Sequence, residues 1–336
     1  VWATAYDGDT VYVGGDFTEA LSGGTWVPRA HLAAINARTG ALLSWRPVVD
    51  GRVKAIVATG GSVYVAGQFS AVNGQRRDSL ARLDRSGNVH WTFKHTILGK
   101  PYALAAGSGR LYMGGGITEV DGQRRTRLAA FDLRTGELDR GWKPTADDQV
   151  ESLVATSGRV YVGGKFHEIN GVDGSRRLAA VTPASGRVVR SFRPNADVIT
   201  YGMAVTPSAV YATHGGKGGR VTAYNLNGST RWTITMDGDP QAVAVLGGTV
   251  YIGGHFDNIC RSTRVGNQGA CLDGSIPRVK MAATDDRGRL LSWSANGNGV
   301  TGVHTVAASQ GLRKLAAGGA FTTINDRPQR RFAQFG

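Results

Sequence analysis

His255 and Asp257 flank Phe256 in a strand-like run, so both side chains fall on one side and could share a cation or a polar ligand. A hydrogen-bonded structural histidine is the plainer reading, because two donors alone do not complete a metal site. Acids precede recurring apolar runs at Asp50, Asp148, Asp197 and Asp239. Gathered around one opening they would hold a cation or act as a carboxylate pair on a glycan; as turn residues, each would cap its own backbone. Arginines recur at a third kind of position: Arg29, Arg76, Arg77, Arg124, Arg125, Arg176, Arg177, Arg278, Arg330 and Arg331. Their planar forks suit phosphate or carboxylate, unless they pair with nearby acids such as Glu119, Asp121, Glu168 and Asp173. A nucleophile elbow, a zincin helix, a P-loop and a dinucleotide fingerprint are all missing. No catalytic residue, metal or cofactor is therefore assigned.

Composition narrows what these residues can serve. The 336 residues include 49 glycines and are 41 % hydrophobic, enough apolar content for a large core. Lys and Arg number 39 against 25 Asp and Glu, which leaves a formal charge of +14 and a positive field. That field points to an anionic partner. Nucleic acid is disfavoured, since basic grooves interleaved with aromatics are not apparent. No apolar run reaches membrane-helix length. Cys260 and Cys271 sit in one Gly-rich insertion without a CxxC or CxxH pattern, which reads as a loop-stapling disulfide. A bridge over so short a loop contributes about 3 kcal/mol and implies an oxidising, extracytoplasmic setting. No signal peptide is visible at Val1, so a secreted chain from which it has been removed is expected.

The elements that position these residues are repetitive. VYVGGDF at Val11 to Phe17 returns at Val63, Leu111, Val160, Val210, Val250 and Leu315, seven copies in all. Tyr12, Tyr64, Tyr112, Tyr161, Tyr211 and Tyr251 are spaced by 52, 48, 49, 50 and 40 residues. Each copy follows an apolar run and precedes a second one, then a Gly-bearing turn and a segment ending in an aromatic. Four short strands per unit predict a propeller blade. The expected fold is thus all-β: a seven-bladed β-propeller of four-stranded blades in a single domain, 1–336. Its blades fall near 1–51, 52–99, 100–148, 149–198, 199–238, 239–298 and 299–336. Trp45, Trp91, Trp142, Phe192, Trp232 and Trp293 are placed on the outer strands, filling the wedge between blades. The last blade lacks its outer strand within this chain, and a strand from upstream residues or from another chain is expected to complete it.

The stretches AGQFSAVNGQRRDSLARLDRSG (66–87) and GGGITEVDGQRRTRLAAFDLRTG (114–136) resemble the bacterial delta-sixty-type β-propeller repeat, a likeness that covers essentially the whole chain. It is weakest in the fifth blade and in the insertion of the sixth. It implies a secreted or surface-associated bacterial protein and says little about chemistry. The element from Ala130 to Trp142 is also similar to the docking repeat of pyrroloquinoline-quinone propellers, whose adjacent-cysteine pair is missing here.

In such a fold the loops from second to third strand share one face with the entries to the inner strands. Blade one offers 18–29, with Trp26 as its exposed aromatic; blade four offers 167–177; blade six offers 257–278, the longest. The reading is a non-enzymatic, secreted binding module for an anionic glycan, a cell-wall polymer or another secreted protein. Its contact residues would be Trp26, Arg29, Arg176, Arg177, His255, Asp257, Arg261, Arg264 and Arg278. The alternatives are a carbohydrate-processing propeller using carboxylates at the channel mouth, and a structural spacer of a larger secreted protein.

Overall fold

The computed structural model describes every residue except Lys217. Apart from a single 3-10 turn at Asn267–Gly269, the regular structure among the described residues is strand. The chain divides into two compact units. One comprises Val1–Val162, Phe166–Asp173 and Ala180–Val189; the other comprises Gly163–Lys165, Gly174–Ala179 and Arg190–Gly336.

In the first unit each repeat folds as an antiparallel meander of inner, second and third strands. Ala3–Asp7 pairs with Thr10–Gly14, which pairs with Leu32–Asn36. Arg52–Thr59, Ser62–Gln68 and Leu80–Asp84 repeat the arrangement, as do Pro101–Gly107, Arg110–Gly115 and Leu128–Asp132. The inner strands pack in chain order, Ala3–Asp7 on Arg52–Thr59, then Pro101–Gly107, then Val150–Ala155. The doubled glycine that closes the second strand in most repeats has two separate causes. A Cβ on Gly114 would stand 2.6 Å from Val150 Cγ1 on the next inner strand, and one on Gly115 would meet the carbonyl of Lys100. Only glycine admits both approaches.

The second unit contains three complete meanders. Thr200–Val205, Ala209–His214 and Gly219–Asn225 are followed by a full fourth strand, Thr230–Met236. Asp239–Leu246, Thr249–His255 and Met281–Thr284 form the next, and Val303–Ser309, Lys314–Gly319 and Phe332–Phe335 the last. The sheet of this seventh repeat ends on Phe332–Phe335.

Outer segments elsewhere are reduced to single bridges, Ile35 to Leu42, Leu83 to Val89, Phe131 to Leu138, Val181 to Val188 and Thr284 to Leu290. Prolines at positions 47, 144 and 194 remove donors just beyond them. In the first, third and sixth repeats the aromatic of this segment packs on the second-strand tyrosine of its own repeat: Tyr12 with Trp45 at 5.0 Å, Tyr112 with Trp142 at 5.0 Å, Tyr251 with Trp293 at 5.0 Å. Trp91 departs from the expectation. It is 79 % exposed, and Phe93, two residues on, is buried against Tyr64 instead.

Candidate functional site

The candidate site is the edge of the sheets where second strands end and third strands begin. The residue entering the third strand is left-handed in repeat after repeat without being glycine: His31 (φ 68°), Ser79 (64°), Arg127 (72°), Arg177 (63°), Lys280 (68°) and Arg331 (63°). The conformation costs about 1 kcal/mol per residue. It is held because the peptide bonds twice to the same loop: Ser79 N–H donates to Phe69 O while Ser79 O accepts from Gly67 N–H, and Lys280 does the same with Phe256 and Gly254.

Two residues earlier stand the recurring arginines, and most of their forks are already committed. Arg29 donates from Nη1 to Pro28 O and from Nη2 to Leu43 O. Arg77 reaches Arg76 O and His90 O, Arg125 reaches Arg124 O and Asp139 O, and Arg278 reaches Pro277 O and Leu291 O. Each therefore ties the start of the third strand to carbonyls 13 or 14 residues downstream. Burial holds Arg29, Arg77 and Arg125 below the ordinary arginine range. Arg176 is exposed, and Arg177 occupies the left-handed position.

The hairpins above this edge differ. Glu19–Ser22 pairs with Thr25–Pro28, which sets Trp26 opposite Leu21; the two side chains are 45 % and 54 % exposed. In the sixth repeat, Asn258–Cys260 pairs with Ser275–Pro277, and the pairing of Ile259 with Met236 joins this hairpin to the fifth sheet. Cys260 and Cys271 are disulfide-bonded. Arg261 is exposed on this stapled hairpin, as is Leu272. Arg264 pairs with Asp273 at 3.0 Å, and Asp273 also accepts from Ser262. His255 is exposed and lies opposite Asp239 in the strand register, while Asp257 is bound at 2.6 Å by buried Lys280.

The acids ahead of inner strands are mostly occupied by backbone. Asp50 accepts from the Ser70 hydroxyl and from the N–H groups of Ser70 and Ala71, and against the cost of burial these bonds hold its carboxyl below the usual range. In the fourth repeat this role falls to Asp147, which receives His167 and Glu168, rather than to Asp148. Asp197 is paired with Arg220. Asp239 accepts from Gly216, and burial pushes its carboxyl up. Among the described residues no cluster of three or more His, Cys, Asp or Glu could hold a metal ion.

Sequence reasoning missed the entry to the inner strands. A register shift there leaves one residue out of the ladder, Lys54 between Val53 and Ala55 and Tyr102 between Pro101 and Ala103 in the first unit. In the second unit the bulged residues are Tyr201, Gln241 and His304. Bulges re-aim a side chain, and each of these five is half-buried. In the second unit His304 Nδ1 lies 2.6 Å from Gln241 Oε1. In the first, Lys54 Nζ sits 3.1 Å from the centroid of the Trp2 ring. Arg52 and Trp2 Nε1 both bind Asp16, at 2.7 and 3.0 Å. The legible signal was the residue following the first apolar position of each inner run, which changes in chemistry from repeat to repeat.

Comparison with known proteins agrees with this architecture. The family model described as outer membrane protein assembly factor BamB matches residues 1–191, more than half of the chain. No curated protein matches the chain in sequence. Among solved structures, the WD40 β-propeller domain of Doa1 is 10 % identical with a TM-score of 0.64, over 99 % of this chain and 92 % of that one. The WD40 domain of Neurospora crassa Pan2 is 11 % identical with a TM-score of 0.59, over 94 % and 85 %. The computationally designed Ika8 protein is 15 % identical with a TM-score of 0.53, over 96 % and 94 %. At these identities the likeness is one of fold, and that fold is the β-propeller.

Proposed function

The chain belongs to the family described as outer membrane protein assembly factor BamB, and on that premise we propose that it is a non-catalytic interaction module of an extracytoplasmic assembly, with an acidic partner protein as its ligand. The observation that carries this reading is the stapled hairpin of the sixth repeat. It is locked by Cys260–Cys271, anchored on a sheet through Ile259, and presents Arg261 and Leu272, both exposed. A rigid scaffold bearing an ordered, chemically mixed loop is the arrangement binding surfaces use. Of the acids that could serve glycan hydrolysis, Asp50 and Asp147 are held ionised by hydrogen bonds from Ser70, Ala71, His167 and Glu168, whereas burial pushes up the carboxyl of Asp239. A general acid must keep its proton near neutral pH.

The disulfide is compatible with a secreted protein, and no helix among the described residues is long and apolar enough to cross a membrane. Three finer readings belong to the same proposal: one domain built from all seven repeats, a delta-sixty-type repeat, and an extended segment laid beside Phe332–Phe335 to complete the seventh sheet.

Binding of poly-L-glutamate and of dextran sulfate at low and at high salt tests the proposal. Expected is polyglutamate binding that weakens as salt rises and falls about tenfold in Arg261→Glu. Salt-independent binding, or equal binding by the variant, would overturn it. A preference for dextran sulfate would move the ligand class from acidic protein to anionic polysaccharide.

A further inference from the structure

Lys54 is the residue that the second repeat's inner-strand bulge leaves out of the ladder. It is half-buried, and its ammonium lies over the face of Trp2, 3.1 Å from the ring centroid. Among the described residues it makes no hydrogen bond and no ion pair. Two acids act on it through space, Asp16 and Glu151, and one cation, Arg52. Both acids are engaged elsewhere. Asp16 accepts from Arg52 Nε and Trp2 Nε1, and Glu151 accepts from Gln149 Nε2 at 2.6 Å. The result is an ammonium withdrawn from water, stacked on an indole and without an acceptor for its three N–H groups. Burial and the neighbouring guanidinium push its pKa down to about 8.

A half-buried charge of this kind is costly unless an acceptor completes it. Arg52 and Lys54 are balanced in number by Asp16 and Glu151, so what the ammonium lacks is a hydrogen-bond acceptor rather than net charge, and a singly charged carboxylate supplies one with less excess negative charge than a dianion would bring. We infer that Lys54 is the anchor for a carboxylate, which binds the ammonium on the side turned away from the Trp2 ring and belongs to an acidic side chain of the bound partner. This inference rests on the acidic-partner reading above and locates a second contact for it, on the first compact unit.

The test uses a glutamate tripeptide and, in a separate arm, inorganic phosphate, with the Trp2 contribution to fluorescence obtained by difference from Trp2→Phe. Saturable change of Trp2 emission with the tripeptide is expected, stronger than with phosphate, weaker at pH 9 than at pH 7, and reduced about tenfold in Lys54→Met. Lys54→Arg keeps the charge and should retain the response, which guards against a variant that merely misfolds. No saturable response in the folded wild-type protein, or the same response in Lys54→Met at unchanged melting temperature, would overturn the inference. A stronger response to phosphate would overturn the carboxylate assignment. Arg261→Glu should leave this titration unaltered, so failure of the hairpin reading and failure of the Lys54 reading give different results.

Discussion

His95 Nδ1 lies 2.7 Å from Asp121 Oδ2, and the opposite ring nitrogen, Nε2, lies 3.0 Å from Gly136 O. Elsewhere one asparagine makes the corresponding link: Asn73 accepts from Val48 N–H and donates to Gly87 O, and Asn170 accepts from Thr145 N–H and donates to Gly186 O. Asp121 accepts from Thr96 N–H in the same manner but has no N–H to donate. His95, standing where those repeats carry Pro47 and Pro144, supplies the missing donor. The third repeat has thus exchanged an amide for a histidine–aspartate pair at the same joint.

That exchange predicts strong coupling between the two positions. His95→Pro alone should lose about 1–3 kcal/mol, since it orphans both Asp121 and the Gly136 carbonyl. Adding Asp121→Asn should recover most of the loss by restoring the second repeat's arrangement. A double-mutant cycle in urea measures this; additive effects would refute it.

His214 predicts acid sensitivity of a definite sign. It is fully buried between Thr200 Oγ1 at 3.1 Å and Tyr224 Oη at 3.0 Å, and desolvation lowers its pKa from 6.5 to about 4. The unfolded chain therefore binds more protons between those two values, and stability falls as pH drops from about 6.5 towards 4. The total is about 3 kcal/mol. Urea unfolding at pH 7 and 4.5 should show this component in the wild type and not in His214→Gln.

The arginine clamps predict a contrast between neighbours in sequence. Arg77→Ala should destabilise by about 2–3 kcal/mol, because two charge-assisted bonds to carbonyls are lost in a buried setting. Arg124→Ala, at an exposed position, should change stability by less than about 0.5 kcal/mol. Faster amide exchange in 89–94 upon Arg77→Ala would localise the effect to the outer segment that the clamp holds.

Phe93 and Trp91 make the same kind of pair. Phe93→Ala should cost about 3–5 kcal/mol, and Trp91→Ala less than about 1 kcal/mol, read from thermal unfolding. Equal costs would return the wedge to Trp91.

The residues that were legible in advance are those that packing selects identically in every repeat. Tyrosines 12, 64, 112 and 251, the glycine pairs and the wedge aromatics recur because each meets a comparable neighbour in its own repeat. Cys260 and Cys271 were legible because covalent chemistry leaves few alternatives for two close cysteines. Even the exchange of Trp91 for Phe93 is written in the alignment of Phe93–Lys94–His95 with Trp45–Arg46–Pro47.

Three matters were decided only by the tertiary structure. The arginines at the third-strand entry looked like an anion-binding belt, yet Arg29, Arg77, Arg125 and Arg278 bind backbone carbonyls. Every residue carries a carbonyl, so nothing in the sequence marks which ones an arginine will reach. Lys54 and Trp2 meet through a bulge and a neighbouring strand, a juxtaposition that periodicity cannot report because the bulged position escapes the ladder. The capping role falls to Asp147 rather than Asp148 because backbone geometry chooses between adjacent acids. Repetition reveals what the core requires of each unit; side chains released from that requirement acquire their partners only when distant segments are brought together.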